Sequence, residues 1–235
     1  MNAPRYALYA VPRPQTALAR FGAAWLGWDI ETGTAVETVE TAGLPADFHR
    51  EITAEPRRYG FHGTLKAPFR LSEGVSETEL IRAIAEFAAR REQLPPFPLR
   101  FATLGRFLAM IPAESVPALH ALAAAAVEEL DRFRAPLTEA ERVRRNRAPL
   151  TPPQAALLER WGYPYVMEEF RYHMTLTGSL EPERRARVAL ALGPLLAALT
   201  AGLYALDDVA LCVESASEQN FRVLRRFPLS AVDRA

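Results

Sequence analysis

The sequence is short of several things, and each shortage narrows what the chain can be. It has one cysteine, Cys212, in 235 residues. A lone thiol forms no intrachain disulfide and rules out a cysteine-ligated metal site. Flanked by Leu211 and Val213, it reads as a small buried hydrophobe. There is also a single lysine, Lys66, every other basic side chain being arginine. No run of about 18 apolar residues occurs, and no basic segment followed by an apolar stretch opens the chain. No membrane span is therefore expected, and the expected location is cytoplasmic. Gly/Ser-rich and low-complexity stretches are missing too, which points to one folded body over 1–235. Net charge is absent, because 28 basic residues offset 28 acidic ones and the pI is near 6.9. A dedicated nucleic-acid binder carries a basic excess, since its affinity comes largely from neutralising phosphates. A small phosphorylated substrate needs only a local patch.

What is present is ordinary in bulk, with 49% hydrophobic and 24% charged residues, enough to bury a core. Residues 6–11 read as a strand ended by Pro12 and Pro14, and 16–27 have helical spacing through Leu18, Phe21, Trp25 and Leu26. Residues 29–56 give no assignable pattern. A strand is expected over 58–69, then a helix opened by the capping box of Ser76 and Glu79 and ended by Pro95 and Pro96. Strands at 98–104 and 107–111 hinge near Gly105, and a helix follows at 115–133. The second half repeats this order, with a strand at 170–177, a helix at 182–199 and strands near 203–215 and 221–229. Between the halves, 135–165 holds five prolines, the basic cluster Arg142, Arg144, Arg145 and Arg147, and a short helical piece at 154–161. It reads as an insertion packed outside the fold or over a cleft.

The informative feature is a pair of similar phrases, Arg58-Tyr59-Gly60-Phe61-His62-Gly63-Thr64-Leu65 and Arg171-Tyr172-His173-Met174-Thr175-Leu176. Two of only four histidines thus stand in matching contexts, each in the first strand of its repeat. Strand side chains alternate with a period of two, so His62 and Thr64 share one face, as do His173 and Thr175. Two such strands meeting at one groove would flank a small anion with two imidazoles and two hydroxyls. Histidine titrates near neutrality, so one ring can take a proton while the other gives one. The hydroxyls can bind non-bridging phosphate oxygens. The same alternation sets Lys66 beside His62 and Thr64, and Arg171 and Thr177 beside His173 and Thr175, so that Lys66 and Arg171 offer positive charge to balance a phosphate. Tyr59 and Tyr172 alternate to the opposite face, where an aromatic packs by default, although a bulge at Gly60 would turn Tyr59 inward. As neighbours of the histidines they complete, with Lys66 and Arg171, the candidate phosphate-binding set. His49 and His120 are read as structural, the Trp25 and Trp28 region as core, and Ser215, Ser217, Gln219 and Asn220 as a polar loop near the cleft.

On these paired His-x-Thr-Leu phrases the chain resembles the two-histidine (2H) phosphoesterase superfamily. Through Tyr59-Gly60-Phe61-His62-Gly63-Thr64-Leu65-Lys66 and Tyr172-His173-Met174-Thr175-Leu176 it resembles most the branch of uncharacterised proteins linked to phosphonate degradation. The resemblance implies an α+β fold of the RNA ligase/cyclic phosphodiesterase kind, two-lobed and pseudo-symmetric, with antiparallel sheets flanked by helices around a central cleft. It further implies hydrolysis of a small cyclic or linear phosphodiester without metal or cofactor, by His62, Thr64, His173 and Thr175. The motifs stand further apart than in the compact RNA-processing members, and an insertion separates them, which disfavours RNA. The expected partner is a small phosphorylated substrate, with no membrane and no obligate protein partner. Two other readings are an RNA 2′,3′-cyclic phosphodiesterase and a non-catalytic protein that binds a phosphorylated metabolite.

Overall fold

The structure, a computed structural model, describes residues 3–41, 43–145, 149–215 and 219–231. Its elements run β1 (Arg5–Ala10), α1 (Ala17–Leu26), the short strands β2 (Trp28–Asp29) and β3 (Thr34–Ala35), α2 (Ala46–Arg57), β4 (Gly63–Phe69), α3 (Glu77–Ala89), β5 (Phe97–Leu104), β6 (Phe107–Pro112) and α4 (Pro117–Glu129). They continue with α5 (Glu139–Arg145), α6 (Pro152–Trp161), β7 (Met174–Thr175), α7 (Pro182–Leu199), β8 (Leu203–Tyr204), β9 (Asp208–Glu214) and β10 (Arg222–Pro228).

Helix boundaries follow local chemistry. Thr16 caps α1 by accepting from the Ala19 amide, and Gly27 ends it at a φ of 69°, a left-handed turn that suits glycine. Ser76 and Glu79 form the expected reciprocal capping box on α3, and Thr151 and Gln154 form another on α6, each satisfying two orphan helix donors. The stretch that carried no sequence signal contains α2, a helix with a mostly polar surface and Pro56 in its last turn.

Eight strands form one antiparallel sheet in the order β10-β9-β1-β4-β7-β6-β5-β8. The expected pair of sheets is thus continuous, yet the join is slender. β4 and β7 share a single register pair, Gly63 with Met174, and four strands lie on each side of it. The two sequence repeats also exchange strands. β9 and β10 from the second repeat complete the sheet of β1 and β4, while the β5–β6 hairpin of the first repeat pairs with β7 and β8. The half made of β5 to β8 comes from one contiguous stretch of chain, whereas the other joins β1 and β4 to β9 and β10 from beyond it.

Side-chain alternation on β1 divides the interior. Tyr6, Leu8 and Ala10 enter the main core, whereas Ala7, Tyr9 and Val11 join Ala210, Cys212 and Phe221 in a smaller cluster on the opposite face. Cys212 is buried, as expected. Trp25 is fully buried, and its indole N–H donates to the Leu176 carbonyl at 2.7 Å. His49 donates Nε2–H to the Trp25 carbonyl at 2.9 Å, so it is a structural histidine that supports the second motif. His120 lies on the exposed face of α4, edge-on to Phe170.

The insertion is anchored to the sheet. Arg70, just past β4, donates through Nε and Nη2 to the two Glu141 oxygens of α5 at 3.2 and 2.9 Å. Among the described residues no helix is long and apolar enough to cross a membrane.

Three sequence expectations change. The strand expected over 58–69 begins only at Gly63, because α2 runs to Arg57 and the chain then turns through Gly60 at a φ of 69°. The strand expected over 170–177 shrinks to Met174–Thr175. Lys66 does not share a face with Thr64. The register of β4 against β1 slips between Thr64 opposite Tyr9 and Lys66 opposite Leu8, a bulge that turns consecutive residues Leu65 and Lys66 both toward the helices. There Lys66 is 3% exposed, donates to the Val127 carbonyl at 3.0 Å and stands 3.6 Å from Asp131.

The single join between the halves has little room. A Cβ added at Gly63 would lie 2.3 Å from ring atoms of Tyr172. Gly63→Ala is therefore expected to destabilise the fold by about 1–3 kcal/mol, seen as a lower midpoint in urea unfolding at unchanged slope; an unshifted midpoint would show that the join tolerates a side chain.

Candidate active site

His62 sits just before β4 and His173 just before β7, the two strands joined at Gly63 and Met174. Each imidazole turns back onto the carbonyl two residues earlier. His62 Nδ1 lies 2.9 Å from the Gly60 oxygen and His173 Nδ1 lies 2.7 Å from the Arg171 oxygen. A carbonyl only accepts, so in each neutral ring Nδ1 carries the proton and Nε2 is left as an acceptor. At His62 the Thr64 hydroxyl donates to that Nε2 at 3.1 Å. The left-handed turn at Gly60 puts its carbonyl under the His62 ring, and a Cβ there would collide with Ile30 at 2.5 Å.

Both histidines line one cleft of about 380 Å³, together with Thr64 and Thr175. The four residues singled out as the reacting set thus converge. The rings differ in their surroundings: His62 is stacked on Tyr9 with centroids 3.6 Å apart, whereas His173 lies 5.4 Å from Phe107. Desolvation pushes the His62 pKa from 6.5 down to about 4, opposed by the Gly60 carbonyl and reinforced by charge on His173. Desolvation also lowers His173, opposed by the Arg171 carbonyl. At neutral pH the unliganded cleft therefore holds two uncharged imidazoles.

The expected phosphate-binding set divides. Tyr59 lines the cleft, turned inward by Gly60 and stacked on Phe221 at 5.6 Å. Tyr172 does not reach it: the ring is 4% exposed, wedged beneath Gly63 and edge-on to Phe97. Lys66 is on the other face of the sheet, where burial lowers its pKa to about 8, with Asp131 opposing that fall. Arg171 points into a second chamber that adjoins the cleft. Thr177 lines the cleft, but its hydroxyl donates to the Gly178 carbonyl and accepts from the Leu108 amide.

Other cationic residues line the cleft. Arg145 from α5 lines the cleft with its guanidinium 4.8 Å from the Tyr163 ring centre and Nη2 donating to the Pro68 carbonyl at 3.1 Å. Arg5, ion-paired to Glu214 at 2.6 Å, lines it from β1. The basic cluster of the insertion thus splits, since Arg142 pairs with Glu159 instead. Arg147, the Arg144 side chain and Ser217 lie outside the described residues. Gln219 and Asn220 are not among the residues lining the cleft. The Arg cluster was a visible signal for Arg145; Tyr9 and Tyr163 had none, because their approach depends on packing. Among the described residues no group of three or more His, Cys, Asp or Glu is placed to hold a metal ion.

A family described as a protein of unknown function, DUF1045, matches residues 64–222. The chain is 38% identical over 217 residues to "Ribose 1,5-bisphosphate phosphokinase PhnN" of Janthinobacterium sp. (strain Marseille), covering 92% of this chain and 43% of that protein. It is 36% identical over 226 residues to the protein of the same name from Laribacter hongkongensis (strain HLHK9), covering 94% and 51%. The chain therefore spans about half the length of the curated relatives it matches. Among solved structures, E. coli LigT complexed with 3′-AMP aligns with a TM-score of 0.46 at 14% identity, covering 97% of this chain and 99% of that one. A conserved protein of unknown function from Agrobacterium tumefaciens strain C58 aligns with a TM-score of 0.44 at 13% identity, covering 95% and 86%.

The depressed His62 pKa has a consequence for stability. Between pH 6.5 and about 4 the unfolded chain holds a proton on this ring that the folded chain does not. Stability is therefore expected to fall as the pH drops through that window. His62→Asn removes this contribution, and its melting temperature should decline less steeply over the same window; identical slopes would show that the ring is not desolvated.

Proposed function

We infer that this chain, which belongs to the DUF1045 family, is a phosphoesterase for a small phosphodiester, with His62 and His173 sharing the proton transfers. The observation that carries this reading is the matched pair of imidazoles in one cleft. Each has Nδ1–H tied to the carbonyl two residues back and Nε2 left as an acceptor.

In the proposed reaction a water or a substrate hydroxyl attacks phosphorus. One Nε2 takes the attacking proton, the ester P–O bond breaks, and the other ring, as imidazolium, protonates the departing oxygen. Both rings are neutral before substrate arrives, so the acid must gain its proton on binding. A phosphodiester anion between them favours this, because a nearby negative charge raises a histidine pKa. Thr64 and Thr175 donate to the non-bridging oxygens, Thr64 by rotating its hydroxyl away from His62. Arg145 and Arg5 balance the charge of the anion in place of Lys66. A His/His mechanism of this kind calls for no metal.

The names of the relatives bear on the substrate. Those proteins, about twice as long, are named for a kinase acting on ribose 1,5-bisphosphate. This chain's sole lysine follows Leu65, so it has no Gly-Lys-Ser/Thr phosphate loop and we do not assign the kinase activity to it. Hydrolysis of a phosphodiester on C1 of ribose 5-phosphate would yield that bisphosphate, since water adds across one P–O bond. A phosphodiester of a phosphorylated sugar is thus the substrate class that links the cleft to the relatives. The balanced net charge also suits a small substrate better than RNA, and a place in phosphonate metabolism accords with the resemblance of the paired motifs.

The test is hydrolysis of a panel of cyclic and linear phosphodiesters. His62→Ala and His173→Ala are each expected to lower kcat by about 10²–10⁴-fold, and excess EDTA to leave the wild-type rate unchanged. Full activity in either variant would reject the paired mechanism.

A further inference from the structure

We propose that the chamber beside His173 seats a phosphorylated sugar, the substituent that the phosphodiester carries on the far side of the reacting phosphorus. This rests on the reading of the cleft given above and names the part of the substrate that the cleft leaves over.

The chamber measures about 700 Å³ and shares Thr64, Ala67, Phe107, Tyr163 and His173 with the cleft. A diester whose phosphorus sits against that shared wall has one substituent on either side. Arg171 lines only the second chamber. Its guanidinium is exposed and has no partner among the described residues, while its carbonyl orients the His173 ring. The cation that the sequence placed beside the reacting phosphate therefore faces a different anionic group, one substituent away.

The same chamber also has the complementary chemistry. Glu169 lines the chamber, and one of its oxygens accepts from Gln154 Nε2 at 2.9 Å. That bond fixes the carboxylate and leaves its second oxygen as an acceptor for hydroxyls. Phe107 and Tyr165 add flat apolar surface of the kind that packs on the C–H face of a sugar ring. A ligand that needs an arginine for its anion and a carboxylate for its hydroxyl donors is a sugar phosphate. Because Arg171 and His173 are two residues apart, one short segment both recognises the substituent and holds the reacting ring.

The experiment uses unreactive ligands, so that it does not depend on turnover. Binding of ribose 5-phosphate and of ribose to the full chain is measured calorimetrically, with excess inorganic phosphate present to occupy the histidine pair. The wild type is expected to bind ribose 5-phosphate at least about tenfold more tightly than ribose, as one charge-assisted contact provides. Arg171→Gln should reduce that preference by about tenfold or more, Arg171→Lys should restore part of it, and Glu169→Gln should weaken both ligands together. A wild type that does not distinguish the two, or an Arg171→Gln protein that still does, overturns the proposal. A chain that hydrolyses diesters without discriminating would sink the sugar-phosphate chamber alone. One that discriminates without hydrolysing would sink the catalytic reading and keep the chamber.

Discussion

One backbone register pair, Gly63 with Met174, is the contact on which the site depends. Hydrogen-bonded strands run about 4.8 Å apart, so residues flanking this pair are brought together whatever their distance in sequence. His62 precedes Gly63 and His173 precedes Met174, and both rings enter one cleft. The approach needs a residue without a side chain at 63, because the Tyr172 ring fills the space beneath it. It is braced from behind by Trp25, which bonds the Leu176 carbonyl and is itself bonded by His49. Two residues that look incidental to the chemistry thus hold the second motif in place.

The exchange of strands between the repeats follows from the same arrangement. Each half of the sheet borrows strands from the other repeat, and the half begun by β1 and β4 is completed only by β9 and β10, the last strands in chain order. The cleft at the join is then flanked by two folded surfaces. Desolvation there lowers the pKa of both imidazoles and leaves them neutral at neutral pH. In a chain of zero net charge, Arg145 and Arg5 line the cleft, one brought by the insertion and one by β1.

Much of the fold was legible because it rests on local signals. The capping box at Ser76 satisfies orphan helix groups within a few residues, and such requirements are visible in sequence. The span 182–199 matches α7 to the residue. By contrast α2 was hidden, because its surface is polar and a proline stands in its last turn. β7 was overestimated, because strand length depends on having a partner, and Met174 and Thr175 are the residues of that segment that find one.

The sequence by itself determined the candidate set. Two histidines in matching His-x-Thr-Leu phrases, with no second motif competing, mark His62, Thr64, His173 and Thr175 through residue chemistry alone. Only the tertiary structure decided which cations and aromatics lie beside them. A bulge in β4 reverses the face of Lys66, a left-handed glycine turns Tyr59 inward, and Arg171 reaches past the cleft into the adjoining chamber. The reason is physical. A strict period of two holds only while a strand keeps its register, and register is set by the neighbouring strand, which lies far away in the chain.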